Sequence, residues 1–225
     1  MPRRARPTDA TRSEKWLRVA VNDRTAEFSS RVAATFGWHG DDPIEWLSPL
    51  AHDGNAEYFD QAFLDRLGVE SLRVPLTRFW PASGPRWDGL GRTRSGKLIL
   101  VEAKAYVEEA VDYRTDAKGA SLTRIRKSLA IAKRAFKASA KSNWETPFYQ
   151  YANRLAHLYF LNRLNRLDAY LVFVYFADAE DVPNPCSEAQ WSGAVRVIKK
   201  ALGLSKNHPF SGRVGTLIWT LPRRG

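Results

Sequence analysis

Three side chains in the stretch RWDGLGRTRSGKLILVEAKAY (86–106) could do chemistry together: Asp88, Glu102 and Lys104. The stretch reads as a tight hairpin, with strands at roughly 86–92 and 97–105. Its centre, RTRSGK, suits a three-residue loop, Arg94-Ser95-Gly96, because such loops favour glycine at the left-handed third position. Thr93 then faces Lys97, and stepping outward one residue on each strand brings Asp88 opposite Glu102. Their Cβ atoms would lie about 5 Å apart on one face. Lys104, two residues beyond Glu102, points to that same face. Two opposed carboxylates repel one another. A divalent cation converts that repulsion into a binding site, since Mg²⁺ takes one or two carboxylates and completes its shell with water and phosphate oxygens. The competing account is a Glu102–Lys104 or Asp88–Lys104 salt bridge at a strand end, with no metal.

The elements that must hold these groups follow from periodicity and punctuation. Helical pattern covers 14–37 and 55–67, the second with Phe59, Phe63 and Leu67 at four-residue spacing and Gly68 as a stop. A first strand is expected at 71–80, then the hairpin, then helices over 121–141 and 145–166. The β-branched and aromatic run AYLVFVYFA (169–177) is a buried strand. A helix over 187–203 opens with a capping box, Ser187 and Gln190, and closes at Gly203. A last strand lies at 215–221. Helix, three strands, helices, strand, helix, strand is an α/β order, a small mixed sheet flanked by helices.

The chain has 225 residues and a formal charge of +11, which points to a polyanionic partner, nucleic acid ahead of a membrane. One cysteine, Cys186, permits no intrachain disulfide and no cysteine zinc site, in keeping with a reducing cytoplasm. The longest apolar run is too short to span a bilayer. Residues 1–13 are expected to be a basic flexible tail and 14–225 a single domain.

WDGLG, a short hairpin and then LILVEAKAY resembles the active-site pattern of the PD-(D/E)XK nuclease superfamily, the restriction-endonuclease-like fold. Residue by residue, Asp88 corresponds to the first acid, Glu102 to the second, Ala103 to the residue between, and Lys104 to the lysine. The resemblance implies an αβββαβ core over about 55–177, with an N-terminal helical elaboration, and phosphodiester hydrolysis with Mg²⁺ or Mn²⁺. It implies that Asp88, Glu102 and the Ala103 carbonyl bind metal while Lys104 positions the attacking water. It also implies a further acid from the helix before the first strand, Glu57, with Glu45 behind it. A Q-x-x-x-Y motif on the following helix has a partial counterpart in Gln150, Asn153 and Arg154, where Arg154 replaces the tyrosine and His157 shares the face. No proline directly precedes Asp88; the nearest is Pro85.

Residues 118–141 hold eight Lys or Arg and no acid. Ile125, Leu129, Ala132 and Phe136 make an apolar stripe, so the outer face is basic. Arg124, Arg126, Lys127, Lys133, Arg134 and Lys137 are the candidate phosphate contacts, which would position a substrate without reading its sequence. The expected function is therefore metal-dependent cleavage of nucleic acid, DNA ahead of RNA, with a homodimer allowed and no membrane role. The alternative is a non-catalytic nucleic-acid-binding protein that keeps the nuclease-like fold.

Overall fold

The computed structural model describes residues 10–111 and 115–220, together with the main chain of residues 3–4. Strands are β1 (Arg3–Arg4), β2 (Ile44–Ser48), β3 (Glu57–Tyr58), β4 (Gly89–Thr93), β5 (Leu98–Lys104), β6 (Ala169–Ala177) and β7 (Val214–Thr220). Helices are α1 (Arg12–Arg18), α2 (Thr25–Thr35), α3 (Gln61–Arg66), α4 (Leu76–Phe79), α5 (Gly119–Ala135), α6 (Tyr149–Tyr159) and α7 (Glu188–Ala201). Five strands form one mixed sheet in the order β2-β4-β5-β6-β7. β2, β4 and β5 run antiparallel, and β6 and β7 run parallel to β5. Parallel neighbours need crossovers; α5 and α6 carry the chain from β5 to β6, and α7 carries it from β6 to β7.

Strand alternation divides the core in two. Leu98 and Leu100 of β5 and Leu171, Phe173 and Tyr175 of β6 pack toward α5, α6 and α7. Ile99, Val101, Ala103, Val172, Val174 and Phe176 pack on the other face, against α1 and α2. β6 is buried along its whole length, which explains its unbroken apolar run: a central parallel strand has no wet face. Gly91 of β4 is needed for close approach, because a Cβ there would sit 3.0 Å from the Trp46 ring of β2.

Several expectations are corrected. Residues 71–80 do not form a strand. Pro75 precedes a short helix in which Leu76 and Phe79 are buried three residues apart, a helical spacing. The first strand of the sheet is β2 instead, and β7 extends the sheet beyond the expected core of 55–177. The helix expected over 55–67 begins only at Gln61. Asp60 turns the chain at φ +52° and accepts the amides of Ser83 and Gly84, leaving Glu57 and Tyr58 extended. Glu57 therefore lies on a strand, paired through the main chain with Arg4, and not in a helical first turn. Arg12 and Ser13 belong to α1, so the expected tail ends before them; residues 1, 2 and 5–9 lie outside the described residues. Among the described residues no helix is long and apolar enough to cross a membrane.

The hairpin turn is anchored from outside. Gly96 has φ +92°, as its place in the three-residue loop requires. Asp42 accepts from Ser95 N at 2.8 Å, Ser95 Oγ at 2.7 Å and Lys97 Nζ at 2.5 Å. The Lys97 bond, aided by the Ser95 donors, outweighs desolvation and holds the Asp42 carboxyl well below the usual carboxylate range. A depressed folded-state pKa stabilises the protein above the unfolded value and is lost as pH falls. Asp42→Ala is expected to cost about 1 kcal/mol at neutral pH, discounted for partial exposure. The difference should shrink on acidification. Urea unfolding of both proteins across the acid range checks it.

Candidate active site

Period-two geometry carries the charged groups onto the α6 side of the sheet. Leu98 and Leu100 face that side, so Glu102 and Lys104 continue the row, and Leu90 places Asp88 with them. The paired residues run Arg92 with Leu98, Gly91 with Ile99, Leu90 with Leu100 and Gly89 with Val101, the register expected from the turn. The ladder stops one step short of Asp88. Trp87 bridges instead to Tyr58, and its amide donates to the Tyr58 carbonyl. The Ala103 amide, left without a main-chain acceptor on β4, donates to Asp88 Oδ2 at 2.8 Å. Asp88 is thus held at the point where β4 leaves the sheet.

These groups line a cleft of about 750 Å³. Asp88, Glu102 and Lys104 form its floor, with Glu57 from β3 and Gln150, Asn153 and Arg154 from α6. Glu102 is 2% exposed, and both of its oxygens are matched: Lys104 Nζ donates to Oε1 at 2.7 Å and Arg154 Nε to Oε2 at 2.5 Å. Lys104 also donates to Gln150 Oε1 at 3.1 Å. Arg154 donates to the Arg86 carbonyl at 2.8 Å, and its guanidinium lies 5.0 Å from the Trp87 ring centre. The side-chain oxygen of Asn153 is buried with no hydrogen-bond partner among the described residues.

The electrostatics separate the two opposed acids. Burial, and then the charge of Glu102 with a smaller contribution from Glu57, push the Asp88 carboxyl well above its ordinary value. Burial acts the same way on Glu102, but Arg154 and Lys104 outweigh it and hold the carboxyl below its ordinary value. Burial works against the Lys104 charge, yet Glu102 and Asp88 more than offset it and push the ammonium up. At neutral pH Lys104 is therefore a cation and a donor, with no lone pair to act as a base.

Among the described residues no three His, Cys, Asp or Glu side chains form a ready metal cage. The donors present still fit a hard divalent cation. Asp88 is a carboxylate that its surroundings make costly to ionise, Glu102 and Glu57 are near enough to raise its pKa, and Mg²⁺ leaves most of its shell to water and substrate.

The remaining candidates separate clearly. Glu57 is in the cleft, while Glu45 pairs with Arg92 at 3.3 Å and lines a different surface. Ala103 presents its amide to Asp88, and its side chain packs on the opposite face. His157 leaves the α6 polar row for an aromatic box of Phe63, Phe79, Trp80 and Trp87; burial pushes its imidazole down to about 3, so it is neutral. On α5 the four stripe residues Ile125, Leu129, Ala132 and Phe136 are buried as expected. Lys127, Arg134 and Lys137 are exposed without an ion-pair partner among the described residues, whereas Arg126 pairs with Glu145 and Arg124 donates to the Thr77 carbonyl. Lys133 is half-buried and donates to the carbonyls of Ala140 and Ser142, so it closes a loop. The N-terminal turns of α5 reach the cleft through Lys118 and Ser121. Sequence reasoning missed Trp87 and Arg86 as supports of Arg154; the signal available was an arginine in the polar row of a helix otherwise rich in Tyr, Leu and Ala.

Two outcomes are expected. Arg154→Met leaves Glu102 buried with one cation fewer and should destabilise by about 3–5 kcal/mol, the cost of breaking a buried pair. Combining it with Glu102→Gln should recover part of that loss in a double-mutant cycle measured by denaturant unfolding. For Asp88 the folded-state pKa lies above the unfolded one, so metal-free stability falls as pH rises from about 4 through the raised value. Asp88→Asn should therefore raise the melting temperature in EDTA at neutral pH, with the gain vanishing near pH 4. A variant that melts lower than wild type at neutral pH would show that ionised Asp88 is a favourable partner.

Comparison with protein-family models, with curated proteins and with solved structures yields no match to this chain.

Proposed function

We propose that this chain is a metal-dependent nuclease of the PD-(D/E)XK type, hydrolysing phosphodiester bonds, most directly those of DNA. The observation that carries this reading is the convergence of Asp88, Glu102 and Lys104 on one cleft, with Glu57 beside them. In this reading β2, β4, β5 and β6 with their flanking helices are the counterpart of the family's αβββαβ core. Asp88 and Glu102 would hold Mg²⁺ or Mn²⁺, with the Ala103 carbonyl as the further ligand that the resemblance implies. The ion, when bound, supplies Lewis-acid stabilisation of charge on the phosphate and a more acidic water.

The chain's own residues do the rest. Lys104, kept cationic by Glu102 and Asp88, orients the attacking water and balances charge on a non-bridging phosphate oxygen. Gln150 fixes the lysine's position by accepting one of its hydrogens. Arg154 holds Glu102 in place and keeps it ionised. Asn153 brings a buried acceptor that a substrate donor or a water can satisfy. Lys127 and Arg134 on the exposed face of α5, and Lys137 just past its end, would meet backbone phosphates without regard to sequence.

One observation favours a second reading. Both oxygens of Glu102 are already matched by protein cations, which suits a self-neutralised site in a protein that binds nucleic acid without cutting it.

One assay separates the two. Plasmid and linear DNA are incubated with the protein and Mg²⁺, Mn²⁺ or EDTA, alongside binding by gel shift. Cleavage that needs the metal, and that falls by about 10²–10³ in each of Asp88→Asn, Glu102→Gln and Lys104→Met while binding persists, is the expected result. Binding with no cleavage under any metal would establish the second reading. Cleavage that survives all three substitutions would locate the chemistry elsewhere.

A further inference from the structure

Cationic side chains in this fold are commonly answered by acids: Arg18 by Glu14, Arg92 by Glu45, Lys97 by Asp42, Arg213 by Asp168. One cavity departs from that pattern. Between the C-terminal half of α7, the following loop and the start of β7 lies a space of about 340 Å³, lined by Arg196, Lys199, Lys200, Lys206 and His208 and by no carboxylate. None of its four Lys and Arg side chains has an ion-pair partner among the described residues. Lys199 and Lys200 sit in the last turn of α7, where cations suit the negative end of the helix dipole. That accounts for two of the five groups. It does not account for Lys206 and His208 on the loop, or for Arg196 a turn earlier.

Two of the donors are held in place. Lys199 Nζ donates to Thr216 Oγ1 at 3.1 Å, and its side chain is partly buried. The His208 ring lies 5.2 Å from that of Phe136, and the Phe210 amide donates to His208 Nδ1 at 3.2 Å. With Nδ1 accepting, the neutral ring carries its proton on Nε2 and offers a donor there. Burial lowers the pKa of both Lys199 and His208, and the Lys199 charge adds to the effect on His208; an anion would relieve both. Ser205 and Ser211 add hydroxyls to the same wall.

We propose that this cavity binds a phosphoryl group, either of a small phosphate or of an oligonucleotide, through Arg196, Lys199, Lys206 and His208. Compact clusters of nitrogen donors with no competing carboxylate are the chemistry that selects a multiply charged tetrahedral oxyanion. The volume admits one such group with several waters. The cavity and the cleft that holds Asp88, Glu102 and Lys104 have no lining residue in common, so the proposal is independent of the nuclease reading.

Thermal melts of the full chain in sodium phosphate and in sodium chloride, at matched ionic strength and neutral pH, give the first readout. Line broadening of the ³¹P signal on titration with inorganic phosphate gives the second. Phosphate should raise the melting temperature more than chloride does. Lys199→Gln/Lys206→Gln should remove that difference, and exposed Lys206→Gln alone, which leaves the core untouched, should weaken phosphate binding about tenfold. Arg73→Gln/Arg78→Gln, exposed and outside the cavity lining, should change neither readout. Short oligodeoxynucleotides with and without a 5′-phosphate then identify the source. A double variant that loses affinity for both oligonucleotides alike marks backbone phosphates, and loss for the 5′-phosphorylated one alone marks a terminal phosphate. Loss confined to inorganic phosphate marks a small ester. Equal stabilisation by phosphate and chloride, or a phosphate response that survives in both cavity variants, would overturn the proposal.

Discussion

The structure around the cleft depends on how a carboxylate can exist inside a sheet. Glu102 is almost fully buried on the central strand β5, where an isolated charge would not be tolerated. It remains an anion because Lys104 and Arg154 each take one of its oxygens. Arg154 comes from α6, so the ion pair fixes how that helix is rotated against β5 and delivers Gln150 and Asn153 to the same cleft. Arg154 in turn lies over Trp87 and holds the Arg86 carbonyl, which ties the approach to β4 into the same arrangement. Buried ion pairs add little net stability, since desolvation offsets most of the attraction. What this one contributes is a defined orientation for three elements at once.

Once Glu102 is neutralised, Asp88 is the acid left over. The cleft lining holds four carboxylates (Glu57, Asp88, Glu102, Asp116) and four cations (Arg86, Lys104, Lys118, Arg154), and Asp88 is an acid that burial and its neighbours hold well above its ordinary pKa. The site thus favours a proton at that position. An imbalance does occur near the C-terminal end of α7, where five basic groups meet without an acid. The net charge of +11 is therefore unevenly distributed, with one concave surface balanced in charge and another carrying an excess.

Local signals were legible in the sequence where a single residue type had a single physical use. The glycine of a three-residue turn set the hairpin register and brought Asp88 level with Glu102. The capping box of α7 and the apolar run of β6 were legible for the same reason. Elements whose identity depends on distant partners were not. Residues 44–48 form a strand because β4 pairs with them and Trp46 lies across Gly91; IEWLS alone has no distinctive period. Glu57 is extended because Asp60 is engaged by the 83–84 turn, a contact across more than twenty residues. Around the site, Asp88, Glu102 and Lys104 were foreseen together, whereas the second cation on Glu102 was not. An arginine within a largely buried helix signals a buried acid somewhere, but not which one.

The anchored turn at Arg94-Ser95-Gly96 has a consequence for how this protein can change over generations. Because side chains alternate across a strand, a ladder shifted by one residue would carry Asp88 to the face packed against α1 and α2. Losing or gaining one codon in the turn invites that shift six residues along each strand, at the cleft it would empty. Substitutions that keep the turn's shape leave the acids where they are. Related chains that share this chemistry should therefore keep the length of this turn and its left-handed glycine while varying most freely at position 94.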